Sequence, residues 1–154
     1  QVLIGFPDEK KSAEVSKTFS DAGINLFSGK DISKEIWEKF IFGSTVSSVG
    51  SIENDSFGEI ISKPERKKLL SALISELLSI AEAKGIHFDK GFKDSLLEKI
   101  ASYPASARTS MQLDFANGKR TEIESFTGYV VRLGEEMKIE VPNYRIVYEL
   151  LLKK

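Results

Sequence analysis

Apolar positions recur along this chain with two different spacings. At the start, Val2-Leu3-Ile4-Gly5-Phe6 is a continuous apolar, β-prone run, and Pro7-Asp8 offers a helix start ahead of Ala13, Val15 and Phe19. Gly23 ends that helix, and Ile24-Asn25-Leu26-Phe27 reads as a second short strand closed by Ser28-Gly29. A strand, helix, strand unit of this size cannot build a sheet alone, because two short strands bury too little. Residues 1–30 are therefore expected to be the tail of a larger α/β domain.

From Asp31 onward the spacing becomes helical, and residues 31–154 are expected to form an all-helical domain. Ser62 and Glu65 have capping-box spacing, and Leu69, Leu70, Leu73, Leu77, Leu78 and Ala81 then hold one apolar face until Gly85. A shorter helix carries Phe92, Leu96, Leu97 and Ile100 and stops at Tyr103-Pro104. Ser106 is placed to cap a helix with Met111 and Phe115 that ends near Asn117-Gly118. Thr121 and Glu124 repeat the capping-box spacing before a stripe of Ile123, Phe126, Val130, Leu133 and Met137. Pro142 opens the last helix, through Ile146, Leu150 and Leu151. Between Gly43 and Gly58 the chain is richer in Gly and Ser, and the pattern does not fix where its helix ends. The fold class is mainly α.

Composition narrows the function classes. The chain has 154 residues with 22 basic against 23 acidic side chains, formal charge −1, and 41% hydrophobic residues, the profile of an ordinary globular domain. That balance offers no general attraction to nucleic acid or to an acidic membrane, so neither is expected as a partner. Apolar runs such as Phe40-Ile41-Phe42 are far short of the roughly 20 residues that cross a bilayer. With no Cys there are no disulfides, thiolate metal sites or thiol nucleophiles, which fits a cytoplasmic location. The single histidine, His87, leaves no multi-His metal site, and no metal is expected. There is no G-x-G-x-x-G, Walker or H-E-x-x-H motif. The chain opens on Gln1 with a strand already under way, so it is expected to be a piece of a longer protein.

The candidate chemistry begins with Lys39. At about 100° per residue, Ile36, Trp37, Phe40 and Ile41 cover one broad arc and Phe42 and Val46 another, with Lys39 between them. A helix apolar on nearly every side is expected to be buried, leaving Lys39 partly desolvated. Gly43 and Ser47 follow it at successive i+4 steps, where small side chains would leave room for a ligand beside the ammonium. The alternative is a lysine that runs its stem along the surface into solvent, with Gly43 allowing close helix packing. Glu122, in the first turn of an expected helix, is placed as an ionised anchor or as an ordinary helix-start acid. Ser110 and Asp114, one turn apart, can present polar groups to a cleft or to solvent.

Two blocks of residues carry a resemblance. Asp31-Ile32-Ser33-Lys34-Glu35-Ile36-Trp37-Glu38-Lys39 resembles the start of the helical domain of ketopantoate reductases (2-dehydropantoate 2-reductases), where a Trp-x-Lys heads a buried helix. Ser110-Met111-Gln112-Leu113-Asp114, then Gly118 to Glu124, Gly128, Val131 to Gly134, Ile139 and Val141-Pro142-Asn143, is similar to the C-terminal block of the same family in order and spacing. The similarity covers essentially the whole chain.

The resemblance implies a helical C-terminal domain of the 6-phosphogluconate-dehydrogenase-like type, preceded by a short β-α-β remnant of a Rossmann domain. It implies an NADPH-dependent reductase whose cofactor is bound mainly by its own N-terminal domain, with a small 2-oxo acid as substrate and a homodimer as a possible assembly. Lys39 falls on the family's catalytic lysine, Glu122 on a glutamate with catalytic or cofactor-binding roles, and Ser110 on a substrate-binding serine. Gly43 and Ser47 fall on substrate-binding positions usually held by Asn. Their substitution puts ketopantoate itself in question, since a site built on hydrogen bonds discriminates by them, and a larger or different 2-oxo acid would suit the expected extra room. It also leaves open a non-catalytic helical dimerisation or ligand-binding domain of the same descent.

Overall fold

The computed structural model describes residues 2–3, 9–24, 26–27 and 32–154. The chain divides into two compact units, residues 1–38 and 39–154. In the first, β1 (Val2–Leu3) pairs in parallel with β2 (Leu26–Phe27), Val2 opposite Leu26, and α1 (Glu9–Asp21) lies between them in sequence. Parallel neighbours need such a crossover, which is why a helix separates two strands this short. Gly23 turns the chain at φ +73°. Ile24, expected in the second strand, instead completes the helix stop, its amide donating to the Phe19 carbonyl at 2.9 Å. The rest of both expected strands, and the domain boundary expected after Lys30, lie outside the described residues.

α2 (Ile32–Glu53) begins in the first unit and forms the spine of the second. Every residue from Ser44 through Ser51 is buried. Small side chains on all sides let neighbouring elements approach closely, and their hydroxyls need partners once out of water. Thr45 Oγ1 donates to the Ile41 carbonyl at 2.7 Å, Ser44 shares a hydrogen bond of 2.9 Å with the Tyr144 hydroxyl, and Ser48 one of 2.8 Å with Thr127. The helix ends at Asn54, which takes the left-handed conformation at φ 59°. Asp55, only 2% exposed, then accepts from Lys63 and, at 2.7 Å, from Arg66 Nε, tying the end of α2 to the stretch that holds these two cations.

Around α2 stand α3 (Phe57–Ser62), α4 (Pro64–Ala83), α5 (Phe92–Ala101), α6 (Ser110–Ala116), a π-helical segment (Glu124–Gly128) running into α7 (Tyr129–Met137), and α8 (Pro142–Leu151). Leu70, Leu73, Leu77 and Ala81 of α4 are fully buried, as the stripe predicts. Gly85 at φ +77° follows its end.

Three helix starts differ from expectation. Ser62 does not cap α4: it is the last residue of α3, its hydroxyl turns back to the Glu59 carbonyl, and Pro64 opens α4 after an uncapped Lys63. The capping box here is Ser56 with Glu59, on α3. Thr109, not Ser106, caps α6, with Gln112 completing the box. Thr121 does not cap: the wide turn starts after Ile123 with no side-chain cap, and the Glu124 carboxylate turns to Arg132 and Tyr148 instead.

Candidate functional site

Lys39, Gly43 and Ser47 run along α2 from solvent into the interior. Lys39 is exposed, Gly43 half-buried, and Ser47 3% exposed. The expected desolvation of Lys39 is therefore corrected: full burial of α2 begins at Ile41, and the apolar residues before it do not enclose the helix, Ile36 being 55% exposed. The exposure of Lys39 agrees with a lysine at the surface.

The room expected beside Gly43 is bounded by Phe126. A Cβ at position 43 would sit 3.7 Å from Phe126 Cζ, ordinary contact distance, so a methyl fits there and the ring bounds the space beyond it. Phe126 packs with Phe40 at a centroid distance of 6.2 Å, and Phe40 meets Tyr129 edge-on at 5.7 Å. Beside the lysine stripe there is consequently an aromatic wall.

Phe126 reaches Gly43 because its segment is wound wider than an α-helix. The Gly128 amide donates to the Ile123 carbonyl, five residues back, at 2.9 Å. Such single π turns are rare and frequent at functional sites. A clamp holds this one. Arg132 Nη1 donates to Glu124 Oε2 and Nη2 to the Glu124 carbonyl, both at 2.7 Å, while the Tyr148 hydroxyl donates to Glu124 Oε1 at 2.6 Å. The bonds from Tyr148 and Arg132 hold the Glu124 carboxyl below its usual range, and Glu124 in turn raises the Tyr148 phenol. Gly128 leaves room for this closure: a Cβ there would lie 2.9 Å from Tyr148 Cε2 and 3.0 Å from Arg132 Nη1, so those side chains would have to shift. The sequence held a signal for this in Glu124, Gly128 and Arg132 at successive i+4 positions, but not for the widened turn or for the role of Phe126.

Glu122 stands just ahead of the π segment, exposed, its carbonyl accepting from Ser125 at 3.1 Å and Phe126 at 2.9 Å. Ser110 is the exposed first residue of α6. That short helix is fixed to α2 by the buried Gln112, whose Nε2 donates to the Gly50 carbonyl at 3.1 Å and the Asp55 carbonyl at 2.9 Å. Gly50 makes the approach possible, since a Cβ there would meet Gln112 Oε1 at 2.8 Å. α2 thus carries Lys39, Gly43 and Ser47 itself, takes the segment after Glu122 against Gly43, and takes α6 against Gly50. Among the described residues no hydrogen bond or ion pair joins the side chains of Lys39, Glu122 and Ser110. Nor, among the described residues, are three or more acidic or histidine side chains grouped to hold a metal ion. No helix there is long and apolar enough to cross a membrane.

Residues 31–154 match the family profile described as ketopantoate reductase PanE/ApbA C terminal. The chain belongs to this family. A 2-dehydropantoate 2-reductase of Aquifex aeolicus is 29% identical over all of the chain and 52% of its own length. The dimeric ketopantoate reductase of Staphylococcus aureus superposes on 99% of the chain and 54% of its own, with a TM-score of 0.87 at 21% identity. D-mandelate dehydrogenase, solved with NADH and anilino(oxo)acetate, superposes on 98% of the chain with a TM-score of 0.83 at 18% identity and 64% of its own length. The chain spans about half the length of the curated relatives it matches, between 47% and 52% for the three 2-dehydropantoate 2-reductases from Aquifex, Archaeoglobus and Halobacterium.

Proposed function

We propose that this domain is the substrate-binding half of an NADPH-dependent reductase that converts ketopantoate, or a related 2-oxo acid, to the 2-hydroxy acid. The observation that carries it is Lys39: inside the family-matched region, an exposed ammonium heads a stripe that leads past Gly43 to the buried Ser47. The domain division expected from the sequence, residues 1–30 against 31–154, belongs to this proposal, with the Rossmann domain supplied by the same protein.

NADPH, when bound, supplies the hydride to the ketone carbon. As that carbon is reduced, negative charge grows on its oxygen, where the Lys39 ammonium donates a hydrogen bond and then the proton. Ser110 holds the polar end of the acid, and Ser47 offers a hydroxyl deeper along the stripe. Glu122, with exposed and uncommitted acceptor oxygens, suits a substrate hydroxyl or the cofactor ribose. The cofactor phosphates fall to the other domain, since this sequence has no glycine-rich phosphate loop. Beside Gly43 the substrate meets the Phe126 edge instead of an amide, which favours an acid with an apolar flank and makes 2-oxo acids other than ketopantoate suitable. D-mandelate dehydrogenase, solved with an aromatic oxo acid and NADH, supports that breadth and makes NADH the second cofactor to test. A cytoplasmic homodimer completes the proposal, supported by the dimeric Staphylococcus aureus relative.

The Gly43 and Ser47 side chains, where the family usually has Asn, also favour a second reading, a non-catalytic dimerisation or ligand-binding domain. NADPH and NADH oxidation by the full-length protein against a panel of 2-oxo acids separates the two. Lysine-dependent turnover is expected, with kcat for Lys39→Ala down by about 10²-fold or more and the circular dichroism unchanged. A Lys39→Ala variant that keeps its rate removes the lysine from the chemistry. Failure of a folded protein to turn over any acid favours the second reading.

A further inference from the structure

Two anchors hold the wide turn that carries Phe126, and they differ in kind. The inner one is buried: Thr127, fully enclosed, shares its 2.8 Å hydrogen bond with Ser48 of α2, and Gly128 is buried beside it. The outer one is the clamp on Glu124, and it stands in solvent, with the Arg132 and Glu124 side chains 53% and 59% exposed. An exposed ion pair adds little to stability, because water screens it and two long side chains must be held still. Yet three hydrogen bonds converge here on the first residue of the turn, two on its carboxylate and one on its carbonyl, from α7 and from α8. Such an arrangement fixes geometry, since it sets the side chain and the backbone of Glu124 against two helices at once.

What the clamp governs follows from the shape of the turn. A π turn holds about one residue more than an α turn, so tightening it would rotate the residues ahead of the buried anchor by up to about 100° about the axis. Phe126, whose ring lies against the Cβ position of Gly43, is one of them. Glu122 is another, and its carbonyl accepts from the Phe126 amide at 2.9 Å, so the two move together. We propose, on the substrate-binding reading of the Lys39 stripe, that Glu124, Arg132 and Tyr148 are positioning residues that keep this turn wide and so hold the Phe126 ring and Glu122 at that stripe. Without touching the substrate, they decide which 2-oxo acid side chain is accepted.

The test uses the full-length protein with ketopantoate and phenylpyruvate, which have bulky side chains, and pyruvate, which has a methyl. Glu124→Ala is expected to lower the preference for a bulky acid over pyruvate, as the ratio of kcat/KM values, by about tenfold, mainly through KM of the bulky acid. Tyr148→Phe deletes one hydroxyl and keeps the ring, so it folds, and it should shift the ratio severalfold in the same direction. Glu124→Gln, which keeps an acceptor for Tyr148, should lose less than the Ala variant. In a Phe126→Ala background Glu124→Ala should change the ratio little further, because both act through one ring. The ring is also followed by NMR without substrate, as a nuclear Overhauser contact between Phe126 and the Gly43 Hα protons, expected in the parent and lost in Glu124→Ala. An unchanged ratio in both Glu124→Ala and Tyr148→Phe, an equal effect of Glu124→Ala with and without the Phe126 ring, or an Overhauser contact that persists in Glu124→Ala would each overturn the proposal. A parent that reduces no 2-oxo acid sinks the reductase reading alone; the Overhauser contact then decides the clamp, supporting it if lost in Glu124→Ala and overturning it if kept.

Discussion

Glu76 of α4 holds the start of α8 from across the domain. It is 8% exposed, and its carboxylate accepts from the Asn143 amide at 2.9 Å, the Asn143 side chain at 2.6 Å and the Tyr144 amide at 3.0 Å. Pro142 opens that helix after Val141, which has no side-chain acceptor, so Glu76 does in trans what an N-cap residue does locally. Replacing Glu76 with Ala has three overlapping effects. A lost cap costs about 1 kcal/mol, a buried amide left unpaired about 1–3 kcal/mol, and a partly buried anion removed from a helix N-terminus up to about 2 kcal/mol. Since these describe the same bonds in different terms, about 3 kcal/mol is expected in total, a fall of roughly 6–12 °C in Tm at about 2–4 °C per kcal/mol for a domain of this size. Glu76→Gln keeps one acceptor but turns an NH2 toward a donor amide, and should lose roughly half as much. Urea unfolding with an unchanged m-value would measure both, and faster hydrogen exchange at Asn143 and Tyr144 would localise the effect. A Glu76→Ala variant within about 1 kcal/mol of the parent would refute the cap, as would a Gln variant less stable than the Ala one.

Asp55 gives a pH prediction. Burial raises its carboxyl, but hydrogen bonds from Lys63 and Arg66 and their charges outweigh this and leave it below its ordinary value of 3.8. A depressed carboxyl stabilises the fold above its unfolded value near pH ~3.9 and loses that contribution as pH falls through the folded one. The gap in urea midpoint between the parent and Asp55→Asn should thus narrow below about pH 4, and a gap constant across pH would count against the ion pairs. Gly128→Ala forces a methyl against Tyr148, Arg132 and Glu124, and should lower stability by about 1–3 kcal/mol in thermal unfolding. No change would mean that the clamp around the π turn yields freely.

Long one-sided patterns translated directly into structure. The Leu69 to Ala81 stripe, the Pro142 start and the Gly23, Gly85 and Gly118 stops rest on local rules, and all appear as helices and turns in place. Helix starts failed at Ser62 and Ser106 because spacing alone does not show that a short helix already ends at Ser62, leaving Pro64 to open α4, or that the chain turns into α6 only at Thr109. Burial of α2 was legible from Ile41 onward but overextended to Lys39, since periodicity shows which face is apolar and not where enclosure begins. Spacing singled out Lys39, Gly43, Ser47, Glu122 and Ser110 as candidates, and the resemblance gave them their roles. Phe126 was missed because a π turn shifts the register of every later side chain, which a fixed 100° step does not represent.

The contact between Gly43 and Phe126 couples two substitutions that are far apart in sequence. A residue at 43 that extends beyond Cβ toward Phe126 has to displace the ring, and a smaller one at 126 opens a void beside the lysine stripe. Relatives that carry an amide at the first position should accordingly carry a slimmer residue at the second, and conversion of one arrangement into the other requires both exchanges, in either order through a strained or hollow intermediate. Substrate preference in this domain would then evolve by paired steps, with the tolerance of the fold deciding which step comes first.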